Sequence, residues 1–176
     1  MDWNDVMLVD GQIFKSERYF FRDIAEETTA RFWDTQITIV NIGVWKGASM
    51  HCFRLGSLGA NLIGIDVMGA YNMEQRLVDY LRAEIIKRNS NYVSDPPNPI
   101  HLLFVDGGHE FETVEGDILL YCPNVVPGGY VLFHDAGESE VRGAISSALQ
   151  ETGDWAELTN KDKPIGSTRY FRREDG

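Results

Sequence analysis

Apolar, largely β-branched residues first run together at Ile37-Thr38-Ile39-Val40-Asn41-Ile42. The run does not alternate with polar residues, so it reads as a strand buried on both faces of a parallel sheet. Gly43 then permits a sharp turn, and Gly47 permits close approach of a ligand or of the sheet. Ala48 to Leu58 predicts a helix. The pattern recurs downstream. Asn61–Asp66 and Ile100–Asp106 read as buried strands that end in a carboxylate, and Tyr130–Asp135 as a strand ending in His134-Asp135. Between them the apolar period becomes helical. Leu77, Leu81 and Ile85, flanked by Val78 and Ile86, predict one amphipathic helix from Met73 to Arg88. Phe111, Val114, Ile118 and Tyr121 predict a second, and Val141, Ala144, Ile145, Ala148 and Leu149 a third.

Upstream, Ile24, Thr28 and Phe32 share a helical face, with Ser16 as a candidate cap. The aromatic start of that helix, Tyr19-Phe20-Phe21, suits core packing, an aromatic lid near the glycine turn, or the contact of a homodimer. Residues 1–16 read as irregular, with Asp10-Gly11 as a turn. Asp95-Pro96-Pro97 rules out regular structure around it and leaves at most a stub of strand at Tyr92-Val93. Pro127-Gly128-Gly129 predicts a turn, and Trp155 to Arg173 two short strands, of which Gly166 to Phe171 is the stronger. The strand–helix alternation predicts an α/β fold: a doubly wound, mostly parallel sheet with helices on both faces. Residues 1–176 are expected to form one domain, an N-terminal segment and helix over 1–35 and a sheet core over 36–176.

Charge narrows the partners. Sixteen Lys and Arg against 27 Asp and Glu give a net charge of −11. Such a surface repels nucleic-acid phosphates and anionic membranes, which leaves a small-molecule partner. No apolar run approaches the roughly 20 residues of a membrane span. Met1–Asp5 is acidic and lacks the basic start of a signal peptide. Cys52 and Cys122 show no metal spacing and read as buried thiols of a reducing, cytoplasmic compartment.

In an open α/β sheet, ligands bind beyond the carboxyl ends of the strands, which is where the Gly43 turn stands. Trp45 breaks the G-x-G-x-x-G dinucleotide pattern, and no G-x-x-x-x-G-K-[ST] phosphate loop is present. What remains is a G-x-x-x-G-x-S turn, suited to a small cofactor that carries a carboxylate and an amine. Asp66 stands at about the interval after Gly43 at which such folds place an acid for ribose hydroxyls. Asp106 with His109, and His134 with Asp135, emerge at the ends of two strands expected to neighbour the cofactor strand. Alternation along a strand would set His134 and Asp135 on opposite sides.

Asp106-Gly107-Gly108-His109, Asp117, Pro127-Gly128-Gly129 and His134-Asp135 together resemble the D-G-x-H…D…P-G-G…H-D pattern of class I S-adenosylmethionine-dependent methyltransferases. The chain is most similar to the subgroup of macrocin O-methyltransferase-like and cephalosporin hydroxylase-like proteins, over roughly residues 15 to 173. The resemblance implies a Rossmann-like sheet. It implies that Gly43, Gly47 and Ser49 line the methionine end of S-adenosylmethionine, with Asn41 and Asp106 also near the cofactor, and that Asp66 holds the ribose. By the same resemblance Asp106 and Asp135, with His134 beside them, would bind a divalent metal, and His109 would take the substrate hydroxyl's proton. The implied reaction is methyl transfer to an oxygen.

Three departures qualify it. Asn41 replaces an acid that relatives place near the cofactor's ammonium, and His134 replaces another acid. Imidazole beside the carboxylates favours a transition ion such as Mn²⁺ over Mg²⁺. The span from Asp66 to Ile100 is short for a helix, a strand and another helix, so the edge strand is expected to be reduced or missing. Two alternatives stay open: a metal-dependent oxygenase or hydrolase, and a degenerate relative that binds a ligand without catalysis.

Overall fold

The computed structural model describes residues 9–159 and 165–174; the Met1–Asp5 start lies outside them. Strands β1 (Thr38–Ile42), β2 (Asn61–Asp66), β3 (Glu84–Lys87), β4 (Ile100–Val105), β5 (Val125–Phe133), β6 (Trp155–Leu158) and β7 (Arg169–Arg173) form one sheet in the order β3-β2-β1-β4-β5-β7-β6. The first five are mutually parallel, and β7 runs antiparallel to both β5 and β6. The reversal of winding falls between β1 and β4, so the Gly43 turn and Asp106 meet at the switch point where such sheets bind ligands. β5 is one strand further out than expected, next to β4 and not next to β1.

Alternate residues of the buried strands feed two cores. Ile39, Leu102 and Phe104 pack under α1 (Lys15–Arg31), α2 (Ala48–Gly56) and α3 (Gln75–Leu81). Val40, Leu103 and Val105 pack under α4 (Phe111–Tyr121) and α5 (Ser139–Ala148). Phe21 of α1 is fully buried against Phe53 and Phe104, and Phe20 stacks edge-on with Tyr170. Phe20 and Phe21 are therefore core and not a lid, while Tyr19 is half-buried under Arg22. Ser16 does not cap this helix; Phe14 occupies the cap position, and Glu17 accepts its backbone N–H at 2.8 Å. Cys52 and Cys122 are free and buried, and burial pushes the Cys52 thiol up to about 12.

The long helix expected over 73–88 is two elements. Leu77 and Leu81 are buried in α3 as anticipated, but Arg82 turns left-handed at φ +46° and the chain extends into β3. Ile85 and Ile86 then fall on opposite faces, one toward each core. Their spacing after Leu81 matched a helix, while the β-branched pair suited a strand pairing with β2, and the pairing prevailed. The edge strand is thus present but short, and the candidate stub of strand at Tyr92-Val93 is instead the end of a 3-10 turn, Ser90–Tyr92, with Val93 just after it. Pro127-Gly128-Gly129 lies within β5 as an irregularity, between the Ile100–Val125 and Leu102–Tyr130 pairs, with Gly128 at φ +77°.

Candidate active site

The ends of β1, β2, β4 and β5 open onto a cavity of about 570 Å³. That falls in the range of roughly 300–1,000 Å³ typical of small-molecule sites. Its floor is the turn after β1. Gly43 adopts φ +80° and lies directly against the Asp106 backbone. Asn41 is fully buried; its Nδ2 donates to the Gly43 carbonyl (2.7 Å), and its Oδ1 accepts from the Ser49 hydroxyl (2.8 Å). Asn41 therefore shapes the turn from below and does not line the cavity. Gly47 also departs from expectation. It faces α3, where a Cβ would meet Met73 and Leu77, so its smallness serves packing. Gly43, Ser49, Asp66 and Asp106 do line the cavity.

Asp66 is first of all a clamp. Its Oδ2 accepts the backbone N–H groups of Val44 (2.9 Å) and Trp45 (3.0 Å), and its Oδ1 accepts that of Met68 (2.7 Å). A carboxylate has about four acceptor sites, so roughly one remains for a ligand hydroxyl.

The other end of the cavity carries the histidines. The ladder continues just past the strands: Asp106 N–H donates to Ile42 (2.9 Å), and His134 N–H to Val105 (3.0 Å). β5 ends at Phe133, and Asp135 takes a left-handed turn at φ +47°. Strand alternation has lapsed there, so His134 and Asp135 both face the cavity, contrary to the sequence expectation. His134 Nδ1 lies 3.2 Å from Asp106 Oδ1 and 3.1 Å from Asp135 Oδ2, and its Nε2 lies 3.3 Å from Glu17 Oε1. His109, on the loop after β4, places Nε2 3.6 Å from Asp135 and Nδ1 3.4 Å from Glu138.

Glu17 was not anticipated. It is fully buried and also accepts from Ser167 N–H (3.1 Å) and the Thr168 hydroxyl (3.0 Å). Burial raises its pKa, but His134, the Phe14 N–H and the Thr168 hydroxyl more than offset that and hold it below the ordinary range. Burial likewise opposes a charged His134, yet Asp106 and Glu17 push its pKa up to about 11. Burial raises the Asp106 pKa, with His134 pulling the other way. The ligand atoms of Asp106, His134 and Asp135 lie within 4.8 Å of one another, as do those of His109, Asp135 and Glu138.

Asp117 anchors the far wall. Its Oδ1 accepts from Asn91 Nδ2 at 2.6 Å, next to cavity-lining Ser90. Its Oδ2 has no aligned donor among the described residues, and burial pushes the carboxyl up to about 6 despite Ser90 and Asn91. Between the ordinary carboxyl value of 3.8 and about 6 the folded chain holds the extra proton, so stability from this group falls as pH rises through that window. The wild type should lose on the order of 1 kcal/mol from this group between pH 5 and 7. Urea unfolding of Asp117→Asn should show that loss removed, whereas an identical pH slope would contradict the assignment.

A family model described as a methyltransferase domain matches residues 40–136, more than half of the chain. The chain belongs to the methyltransferase family. The matched span of this methyltransferase runs from β1 past Asp135, so it contains both ends of the cavity but not Glu17. An uncharacterised protein of Acanthamoeba polyphaga mimivirus is 31% identical over 126 residues, 64% of this chain. The chain spans 57% of that relative's length. Among solved structures, the fold is similar to CalS11, a TDP-rhamnose 3'-O-methyltransferase of calicheamicin biosynthesis (TM-score 0.72, 14% identity, covering 98% of this chain and 85% of that one). It is similar to the O-methyltransferase NovP (0.69, 14%, covering 90% and 80%). It is also similar to MycE of the mycinamycin pathway, solved with Mg and SAH (0.62, 18%, covering 90% and 53%). No helix among the described residues is long and apolar enough to cross a membrane.

Proposed function

We propose that this methyltransferase moves a methyl group from S-adenosylmethionine to a hydroxyl of a small molecule. The observation that carries the reading is the two-ended cavity: the Asp66-clamped turn at one end, and Asp106, His109 and Asp135 at the other. The Gly43–Ser49 turn receives the amino-acid part of the cofactor, and the remaining acceptor site of Asp66 takes a ribose hydroxyl. Exposed Val67, which lines the cavity beside Asp66, offers apolar surface to the base. The cofactor supplies a methyl group on a sulfonium, ready for in-line displacement. Catalysis then rests on alignment, worth several kcal/mol and up to about 10.

His109 takes the acceptor's proton, with Asp135 and Glu138 orienting its ring. Asp106, Asp135 and His134 fit a divalent ion, because a buried ring nitrogen without a hydrogen bond faces two carboxylates. Such an ion would act as a Lewis acid and lower the pKa of the acceptor hydroxyl. The net charge of −11 favours a small-molecule acceptor over nucleic acid. Two buried free thiols suit a cytoplasmic setting.

Titration calorimetry with S-adenosylhomocysteine tests the reading. The wild type should bind, and Asp66→Ala should bind at least about tenfold more weakly. The substitution loses the ribose bond and frees the turn, at roughly 1.5–3 kcal/mol for each charge-assisted hydrogen bond. Absence of binding by the wild type at millimolar ligand would remove the cofactor from the proposal. A binding wild type that turns over no hydroxylated acceptor would instead favour a ligand-binding relative.

A further inference from the structure

We infer that Glu17, reaching into the site from α1, fixes the His134 ring so that Nδ1 joins Asp106 and Asp135 as a nitrogen ligand, which makes the site one for a transition ion such as Mn²⁺ in preference to Mg²⁺. The inference deepens the proposed function and rests on it only in placing the catalytic end of the cavity at Asp106 and Asp135.

Three observations carry it. First, His134 is 5% exposed, and its Nδ1 makes no hydrogen bond among the described residues, although two carboxylates stand 3.1 and 3.2 Å away. Those oxygens lie off the line along which an N–H would donate. Adjacent ligands of one octahedral ion, each about 2.1 Å from it, stand about 3 Å apart and off one another's lone-pair axes. The distances of 3.1 and 3.2 Å suit either a hydrogen bond or that arrangement, and the missing alignment favours the arrangement around an ion.

Second, the opposite nitrogen has its own carboxylate. Nε2 lies 3.3 Å from Glu17, whose side chain is 0% exposed. Metal-bound histidines characteristically donate the distal N–H to a carboxylate, which fixes tautomer and ring direction. Glu17 is itself fixed by Phe14 N–H, Ser167 N–H and the Thr168 hydroxyl, so it has little freedom to follow the ring elsewhere. Third, Glu17, Asp106 and Asp135 place three carboxylates around one imidazole. A second ring proton offsets one negative charge, and a divalent ion at Nδ1 offsets two. Glu17 touches the ion only through His134, so it is a positioning residue.

Binding of Mn²⁺ and Mg²⁺ to the full chain, with no cofactor or acceptor present, tests this. Electron paramagnetic resonance reads bound Mn²⁺, and electron-spin-echo modulation reads a coupled ¹⁴N. The wild type should bind Mn²⁺ at least about tenfold more tightly than Mg²⁺ and show imidazole ¹⁴N modulation. Glu17→Gln should weaken Mn²⁺ binding by about 10–100-fold. His134→Asp should abolish the ¹⁴N signal and shift preference toward Mg²⁺. In the double variant Glu17→Gln/His134→Asp, the loss caused by Glu17→Gln should vanish, because its effect passes through the ring.

Should Glu17→Gln fail to fold, the ¹⁴N signal and the metal preference of wild type against His134→Asp decide the matter. No Mn²⁺ binding at millimolar metal, equal preference for the two ions, or bound Mn²⁺ without ¹⁴N modulation overturns the inference. Parallel titration with S-adenosylhomocysteine keeps it separate from the cofactor reading, since either can fail while the other holds.

Discussion

Gly43→Ala is expected to cost about 3–5 kcal/mol of stability and to abolish cofactor binding in whatever fraction remains folded. An added Cβ would stand 1.9 Å from the Asp106 carbonyl oxygen, 2.5 Å from its carbon and 3.0 Å from Gly107 N. All three are backbone atoms, held by the ladder bond from Asp106 N–H to Ile42, so none can step aside as a side-chain tip would. The φ of +80° adds a second penalty, about 1–2 kcal/mol for a residue that carries a Cβ. Against a total stability of about 5–15 kcal/mol, that sum leaves little margin. Gly59→Ala is the control, since nothing lies within 4 Å of a Cβ there. Urea midpoints should separate the two variants widely. Equal midpoints would mean that β1 and β4 are not in the close contact described.

His109→Ala carries the largest expected effect on turnover, a fall in kcat of about 10²–10⁴-fold. His109 lies between Asp135 and Glu138 on the cavity wall. Removing its ring takes away the proposed proton acceptor and leaves the Gly43–Asp66 end untouched. Release of S-adenosylhomocysteine with the best acceptor found for the wild type should fall by that factor. Calorimetric affinity for S-adenosylhomocysteine should change less than about threefold. A variant retaining a tenth of wild-type kcat would assign proton removal elsewhere, and a matched loss of cofactor affinity would make His109 a binding residue.

The buried parallel strands were legible because burial on both faces leaves a mostly apolar run, broken only by Thr38 and Asn41 in Ile37–Ile42 and by His101 in Ile100–Val105. The acids and histidines at their ends were legible for the same reason: once the strands are placed, parallel topology sends their carboxyl ends to one edge. β3 was not. Ile85 and Ile86 continue a helical stripe begun by Leu77 and Leu81, and only pairing with β2 decides against the helix. The turn residues were identified, but their roles were not. Asn41 and Gly47 carry the right side chains at the right spacing, yet their contacts run to Ser49, Met73 and Leu77 and not into the cavity. Glu17 gave only the weak signal of an acid in a helix's first turn. Its burial against His134, 117 residues away, arises from tertiary packing that no local pattern encodes.

Glu17 also sets the order in which the site can be completed. It bonds residue 134 across 117 positions, and Ser167 and Thr168 across 150 and 151. Contacts of such separation carry the largest loop-closure cost and form late in folding. The Val44–Asp66 clamp spans only 22 positions and closes a short loop. The two ends of the cavity therefore differ in the length of chain each needs: the clamp closes with residues up to 66, whereas the Glu17–His134 contact needs those up to 134, with Ser167 and Thr168 holding Glu17. Docking of residues 167–168 should therefore be the last step in fixing the His134 ring.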